Sequence, residues 1–192
     1  MQVPRQVADP VTVFVTDYGI HSAIVLPVGP RRYVEYAFGD YGYAALNRDT
    51  PFDALGALLV SRQAGFGRSY MAADPATGLP ALPRAPLKMH RLTASRAKVE
   101  ALLADLEARY DRGRQPAHFN EVTGIHWVRD RQRYGLLNSC NHLTARSLEA
   151  LGCRVYGLPI FSKFQFDRGT PIDEDARHQP TAAPANRVAG PM

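Results

Sequence analysis

Alternating β-branched and aromatic residues from Val11 to Val15, a polar step at Thr16-Asp17-Tyr18-Gly19, and an apolar stretch from Ile20 to Leu26 predict one long strand, or two with a bulge at Gly19. A turn at Val28 to Arg31 and a returning strand from Arg32 to Phe38 then complete a hairpin that stops at Gly39. Leu55, Leu58 and Leu59 share one face of a helix expected over 51–61, with Pro51 in its first turn. A short strand follows over 66–71, and the four prolines of 74–86 predict an irregular loop. Leu87 to Leu92 has strand character. The clearest helix spans Ser95 to Tyr110, where Val99, Leu102, Leu103, Leu106 and Tyr110 form one apolar stripe and 111–113 close it. Phe119 to Tyr134 is a mixture of strand and loop. Leu143, Leu148 and Leu151 set a helix from Cys140 to Leu151, stopped by Gly152, and 153–161 suggest a last strand. Hairpin, helix, strands, helix, strand, helix, strand is an α+β order with an antiparallel sheet.

Composition narrows the class. A chain of 192 residues with 45% hydrophobic and 21% charged side chains can bury one substantial core, and it is short for two domains. We expect an N-terminal extension over 1–10, one domain over 11–168, and a disordered tail over 169–192, where proline, alanine and charge replace apolar periodicity. No apolar run reaches the roughly 18 residues of a membrane-spanning helix. The first ten residues lack the apolar core and small-residue cleavage site of a signal peptide, and the compartment stays open. The net charge of +5 is carried mostly by arginine, the lysines being Lys88, Lys98 and Lys163; it permits an anionic partner without requiring one.

Cys140 and Cys153 fall at opposite ends of the last helix, about 18–20 Å apart at a rise of about 1.5 Å per residue. A disulfide needs Cα atoms within about 7 Å, so two thiols are expected. Cys140 lies in the first helical turn, after Asn138 or Ser139 as N-cap. There, free backbone N–H groups and the positive end of the helix dipole favour a thiolate and can later hold an oxyanion. Cys153, after the helix stop in an apolar pattern, reads as a packed core residue.

A nucleophilic thiolate needs an imidazole to take and return its proton. His21 stands in an otherwise apolar strand pattern, where it is either a satisfied core histidine or a positioned base. Glu35, between Val34 and Tyr36 on the returning strand, either faces solvent or orients His21. His126 beside Trp127 is a second candidate base or a substrate-lining residue. His142 lies about 200° round the helix from Cys140 and does not share its task. Cys-x-His on one helix does not converge on a metal and the other spacings match no common ligand pattern, so no metal or organic cofactor is expected. The basic segments 109–114 and 129–133 are interrupted by acids and read as solvated faces, and Gly65-Phe-Gly67 is too short for a nucleotide motif, so no nucleic-acid partner is expected.

Three motifs, Gly19-Ile-His21-Ser-Ala-Ile-Val-Leu, Val34-Glu-Tyr-Ala-Phe-Gly-Asp40 and Asn138-Ser-Cys140-Asn-His-Leu-Thr144, together resemble the circularly permuted branch of the NlpC/P60 papain-like superfamily. Within that branch the chain looks most similar to the bacterial DUF2459 family, with similarity to PPPDE-type peptidases. The resemblance spans roughly residues 11–161 and implies a papain-like sheet packed against helices. It assigns Cys140 as nucleophile, His21 as base and Glu35 to a third position that varies among relatives. Ser139 departs from relatives that carry Asn directly before the cysteine. The implied activity is that of a thiol hydrolase of amidase or peptidase type, acting on a peptide, cell-wall or acyl substrate through an acyl-enzyme. An acyltransferase of the same fold and a non-catalytic module binding a peptide, glycan or lipid are the alternatives.

Overall fold

The structure, a computed structural model, describes residues 1–2, 7–47, 61, 63–157, 159 and 164–165. Most of the helix expected over 51–61, and the tail over 169–192, lie outside the described residues. The described chain is an α+β fold. Its strands are β1 (Pro10–Asp17), β2 (Ser22–Gly29), β3 (Arg32–Asp40), β4 (Ala64–Ala72), β5 (Lys88–Ser95), β6 (Arg114–Asn120) and β7 (Ile125–Arg129). They form one sheet in the order β5-β1-β2-β3-β4-β7-β6, and every pairing is antiparallel.

The stretch expected as one long or bulged strand is instead a reversal. β1 and β2 pair antiparallel from Phe14↔Val25 to Asp17↔Ser22. Gly19 turns the chain with φ +97°, a conformation open to glycine, while its N–H donates to Asp17 Oδ1 at 2.7 Å and the Tyr18 N–H donates to the His21 carbonyl at 2.8 Å. His21 therefore lies in the turn before β2, not within a strand.

Helix α1 (Arg96–Asp111) starts at Ser95, whose Oγ accepts from the Lys98 N–H. Its buried residues are Val99, Leu102, Leu106 and Tyr110, with Leu103 partly buried beside them, so the expected stripe is the packed face. Helix α2 (Cys140–Ala150) buries Leu143 and Leu148 against β2 and β3. Both helices cover the sheet face carrying Val13, Val15, Ile24, Leu26, Val34, Tyr36 and Phe38. The alternate positions point to the opposite face, where Ala23 and Ala37 meet Tyr41, Ala45, Ile125 and Trp127. Gly67 is required there: a Cβ on it would sit 2.6 Å from Ile125 Cγ2 and 3.0 Å from Trp127 Cε3. That packing role accounts for a glycine pair with no nucleotide motif around it.

The mixed stretch 119–134 contains the end of β6, all of β7 and the loop that leads to α2. The last strand expected over 153–161 does not form in its described part. Gly152 adopts φ +94°, the Cys153 N–H turns back to the Leu148 carbonyl at 2.9 Å to close α2, and only Arg154 bridges to Gln2. The basic segments are also more than solvated faces. Arg109 Nε donates to Asp130 Oδ2 at 2.7 Å, and its guanidinium lies over Phe38 and Phe66, tying α1 to the chain that follows β7. No helix among the described residues is long and apolar enough to cross a membrane.

Candidate active site

Three elements converge where β2 begins: the Tyr18–His21 turn, the first turn of α2, and the middle of β3. Ser139 is the N-cap of α2, and His142, three residues on, receives the Ser139 N–H at 3.5 Å with its Nδ1 lying 3.0 Å from the Ser139 hydroxyl. His142 thus works as a cap and is turned away from the sulfur's task, as its position on the helix predicts. Cys140 is the first helical residue and is 3% exposed.

The His21 imidazole faces the Cys140 thiol, and each acts on the other's proton through charge and hydrogen bonding. Around the same sulfur stand the Tyr134 hydroxyl at 3.7 Å, Asn141 Oδ1 at 3.6 Å, the Ile20 carbonyl at 4.0 Å and the Ser22 backbone N–H. Burial pushes the thiol up, but the His21 charge and hydrogen bond, the Ser22 N–H and the Tyr134 hydroxyl outweigh it and bring the pKa down to about 7. At Cys153 burial prevails over the opposing charges of Lys98 and the N-terminus, and its thiol is pushed up to about 11. Both cysteines are free thiols.

For His21, burial favours the neutral ring, yet the facing sulfur and then the Glu35 charge lift its pKa above the ordinary histidine value. Arg84 opposes them. Glu35 is 2% exposed on β3, on the sheet face opposite the helices, so it does not face solvent. Its Oε1 accepts from the Tyr18 hydroxyl at 2.8 Å and the Thr16 hydroxyl at 3.1 Å, and it acts on His21 through its charge. Burial raises its carboxyl above the usual carboxylate range despite these donors. Tyr18 completes the support, its ring stacked on that of His21 with centroids 6.0 Å apart and planes at 28°.

A second polar cluster holds the cysteine's helix to the strand. The Ser22 hydroxyl lies 2.8 Å from Asn141 Oδ1 and 2.9 Å from Thr144 Oγ1, all three side chains being buried. A buried polar group left without a partner costs on the order of 1–3 kcal/mol, so this cluster fixes the register of α2 against β2.

His126 is placed elsewhere. It is exposed on β7, three strands from β2, with Phe119 at 4.6 Å. The sequence pattern does not mark Tyr134, Tyr18, Thr16 and Ser22 as site residues. Tyr18 and Ser22 flank the histidine motif and offered a faint signal, whereas Tyr134 sits in a loop with no periodicity to mark it. Among the described residues no group of three His, Cys, Asp or Glu side chains is arranged to hold a metal ion. In comparisons with known proteins, no family model, no curated protein and no solved structure matches the chain.

Proposed function

We propose that the chain is a cysteine-nucleophile hydrolase of amidase or peptidase type, built on a permuted papain-like arrangement. The observation that carries this reading is the His21 imidazole set against a helix-start thiol, whose pKa is brought down to about 7 while the second thiol of the chain is pushed up to about 11. In the proposed cycle His21 takes the Cys140 proton and the thiolate attacks an amide or ester carbonyl. First-turn N–H groups of α2 and the Tyr134 hydroxyl hold the oxyanion. The tetrahedral adduct collapses as His21 returns the proton to the leaving amine or alcohol, and a thioester remains on Cys140. Water, deprotonated by His21, then releases the acid and regenerates the thiol. Glu35, anchored by Tyr18 and Thr16, stabilises the imidazolium in each half-reaction.

Acyl transfer through the same thioester is the second reading. It is favoured by apolar side chains exposed on segments that lead to the sulfur: Ile20, whose carbonyl is 4.0 Å from it, and Leu136 and Leu137, just before α2. Such a rim suits an apolar acyl group and shields a thioester from water. Incubation with peptidoglycan fragments, peptides and acyl esters, followed by intact-mass detection of an adduct on Cys140, tests both. An adduct that decays to free acid in buffer supports hydrolysis. One that decays only when an amine or alcohol is added supports transfer. A reactive Cys140 that accepts no acyl group from any of the three panels overturns both in favour of a binding module.

A further inference from the structure

The loop between β4 and β5 delivers a cation to this site by a rigid route. Pro83 packs so closely on the β6–β7 turn that a Cβ at Gly124 would lie 2.7 Å from its ring. Four residues on, the Leu87 N–H donates to the Asp17 carbonyl at 2.8 Å, at the start of the histidine turn. Between these anchors Arg84, with Pro83 and Pro86 restricting the backbone on either side, places its guanidinium carbon 4.1 Å from the Tyr18 ring centroid. Tyr18 is the ring that stacks on His21, and the Arg84 charge reaches both His21 and Glu35.

Arg84 is nevertheless exposed and forms no ion pair among the described residues. Stacking uses only the face of a guanidinium, and its N–H fork remains suited to two oxygens of a carboxylate or phosphate. A cation here also works against the His21 imidazolium, a cost that an anion bound beside it would cancel. On the reading of Cys140 as nucleophile, we propose that Arg84 is a specificity-determining residue that receives an oxyanion of the substrate, carboxylate or phosphate, on the Tyr18 side of the site. Substrates of this site are therefore acyl compounds bearing an anionic group.

The test compares alkylation of Cys140 in the full chain by iodoacetate and by neutral iodoacetamide, mapped by peptide mass. The ratio of the two rates cancels any change in thiol nucleophilicity. Arg84→Gln is expected to lower the iodoacetate-to-iodoacetamide ratio roughly five-fold, and Arg84→Lys, which keeps the charge and loses the fork, to lower it less. Arg114→Gln, an exposed arginine on the sheet's edge strand β6, is expected to leave it unchanged. Acetate and inorganic phosphate then serve as competitors: the one that slows iodoacetate in the native chain but not in Arg84→Gln names the oxyanion. A ratio that Arg84→Gln does not move, with Cys140 still reactive towards iodoacetamide, overturns the proposal and leaves the cysteine reading standing. A Cys140 inert to both reagents removes the cysteine reading and the Arg84 assignment with it.

Discussion

His21 faces the Cys140 thiol on one side and carries the Tyr18 ring stacked against it on another, so the imidazole is fixed by a strand turn while the sulfur is fixed by a helix start. Neither element can move alone without breaking the Ser22–Asn141–Thr144 cluster that joins them. The consequences are measurable on the isolated protein.

The two thiols should separate cleanly in pH. Iodoacetamide modification of Cys140 is expected to be half-maximal near pH 7, the value to which its surroundings bring it, while Cys153, pushed up to about 11, stays unlabelled in the same range. Rate against pH with peptide mapping reads this directly, and preferential labelling of Cys153 would contradict the site.

Removing the imidazole should reverse the order of effects at the sulfur. In His21→Ala the burial that raises the thiol pKa persists while its chief opposing charge is gone. The alkylation midpoint should then rise by at least a unit, and the rate at pH 6.5 fall about ten-fold or more, since each unit of pKa changes the thiolate fraction about ten-fold on the acid side. An effect of this size in His126→Ala, with none in His21→Ala, would overturn the placement of the base.

Glu35→Gln should trade stability against thiol activation. A carboxyl whose folded-state pKa lies above its unfolded value contributes stability that is fully present below the unfolded pKa and is lost as pH rises through the folded one. At neutral pH the native chain therefore holds Glu35 at a cost that glutamine lacks. The variant should melt higher than the native protein at pH 7, and the difference should vanish near pH 4, each 1 kcal/mol being worth roughly 2–4 °C in a chain of this size. Its Cys140 midpoint should rise, but by less than in His21→Ala. Thermal melts across pH together with the alkylation profile check both halves.

The Arg109–Asp130 pair should be expensive to break from one side. Their side chains are 15% and 4% exposed, and Asp130 also accepts the Gln132 N–H at 2.6 Å. Asp130→Ala leaves a largely buried guanidinium without its carboxylate, a change expected to cost about 3 kcal/mol in urea unfolding. Replacing both residues by apolar ones of similar volume should cost much less. Equal losses in the single and double variants would show that the pair itself, and not the stranded charge, supplies the stability.

Much of the frame was legible from spacing alone. The 3.6-residue stripe of Val99, Leu102, Leu106 and Tyr110, the Ser95 cap and the Gly152 stop identify the two described α-helices to within a residue or so, because helix formation is governed by neighbours a few positions apart. The same local logic put Cys140 at a helix start and kept it from Cys153. What it could not distinguish at Gly19 was a bulge from a reversal: both need a permissive backbone, and only pairing across the hairpin, Phe14 with Val25 and Asp17 with Ser22, chooses between them.

The site divides along the same line. The sequence by itself determined which residues have suitable chemistry, a thiol at a helix N-terminus, a histidine out of place in an apolar run and a carboxylate in a strand interior. Tertiary structure alone decided which of them meet. It joined the His21 turn to the start of α2, gave Glu35 to Tyr18 and Thr16, and sent His126 to a distant strand. It also brought Tyr134 to the sulfur and Arg84 to Tyr18. These encounters depend on strand order and on how α2 seats over β2. Both are set by burial of the whole apolar face at once, a long-range quantity that no short window of sequence contains.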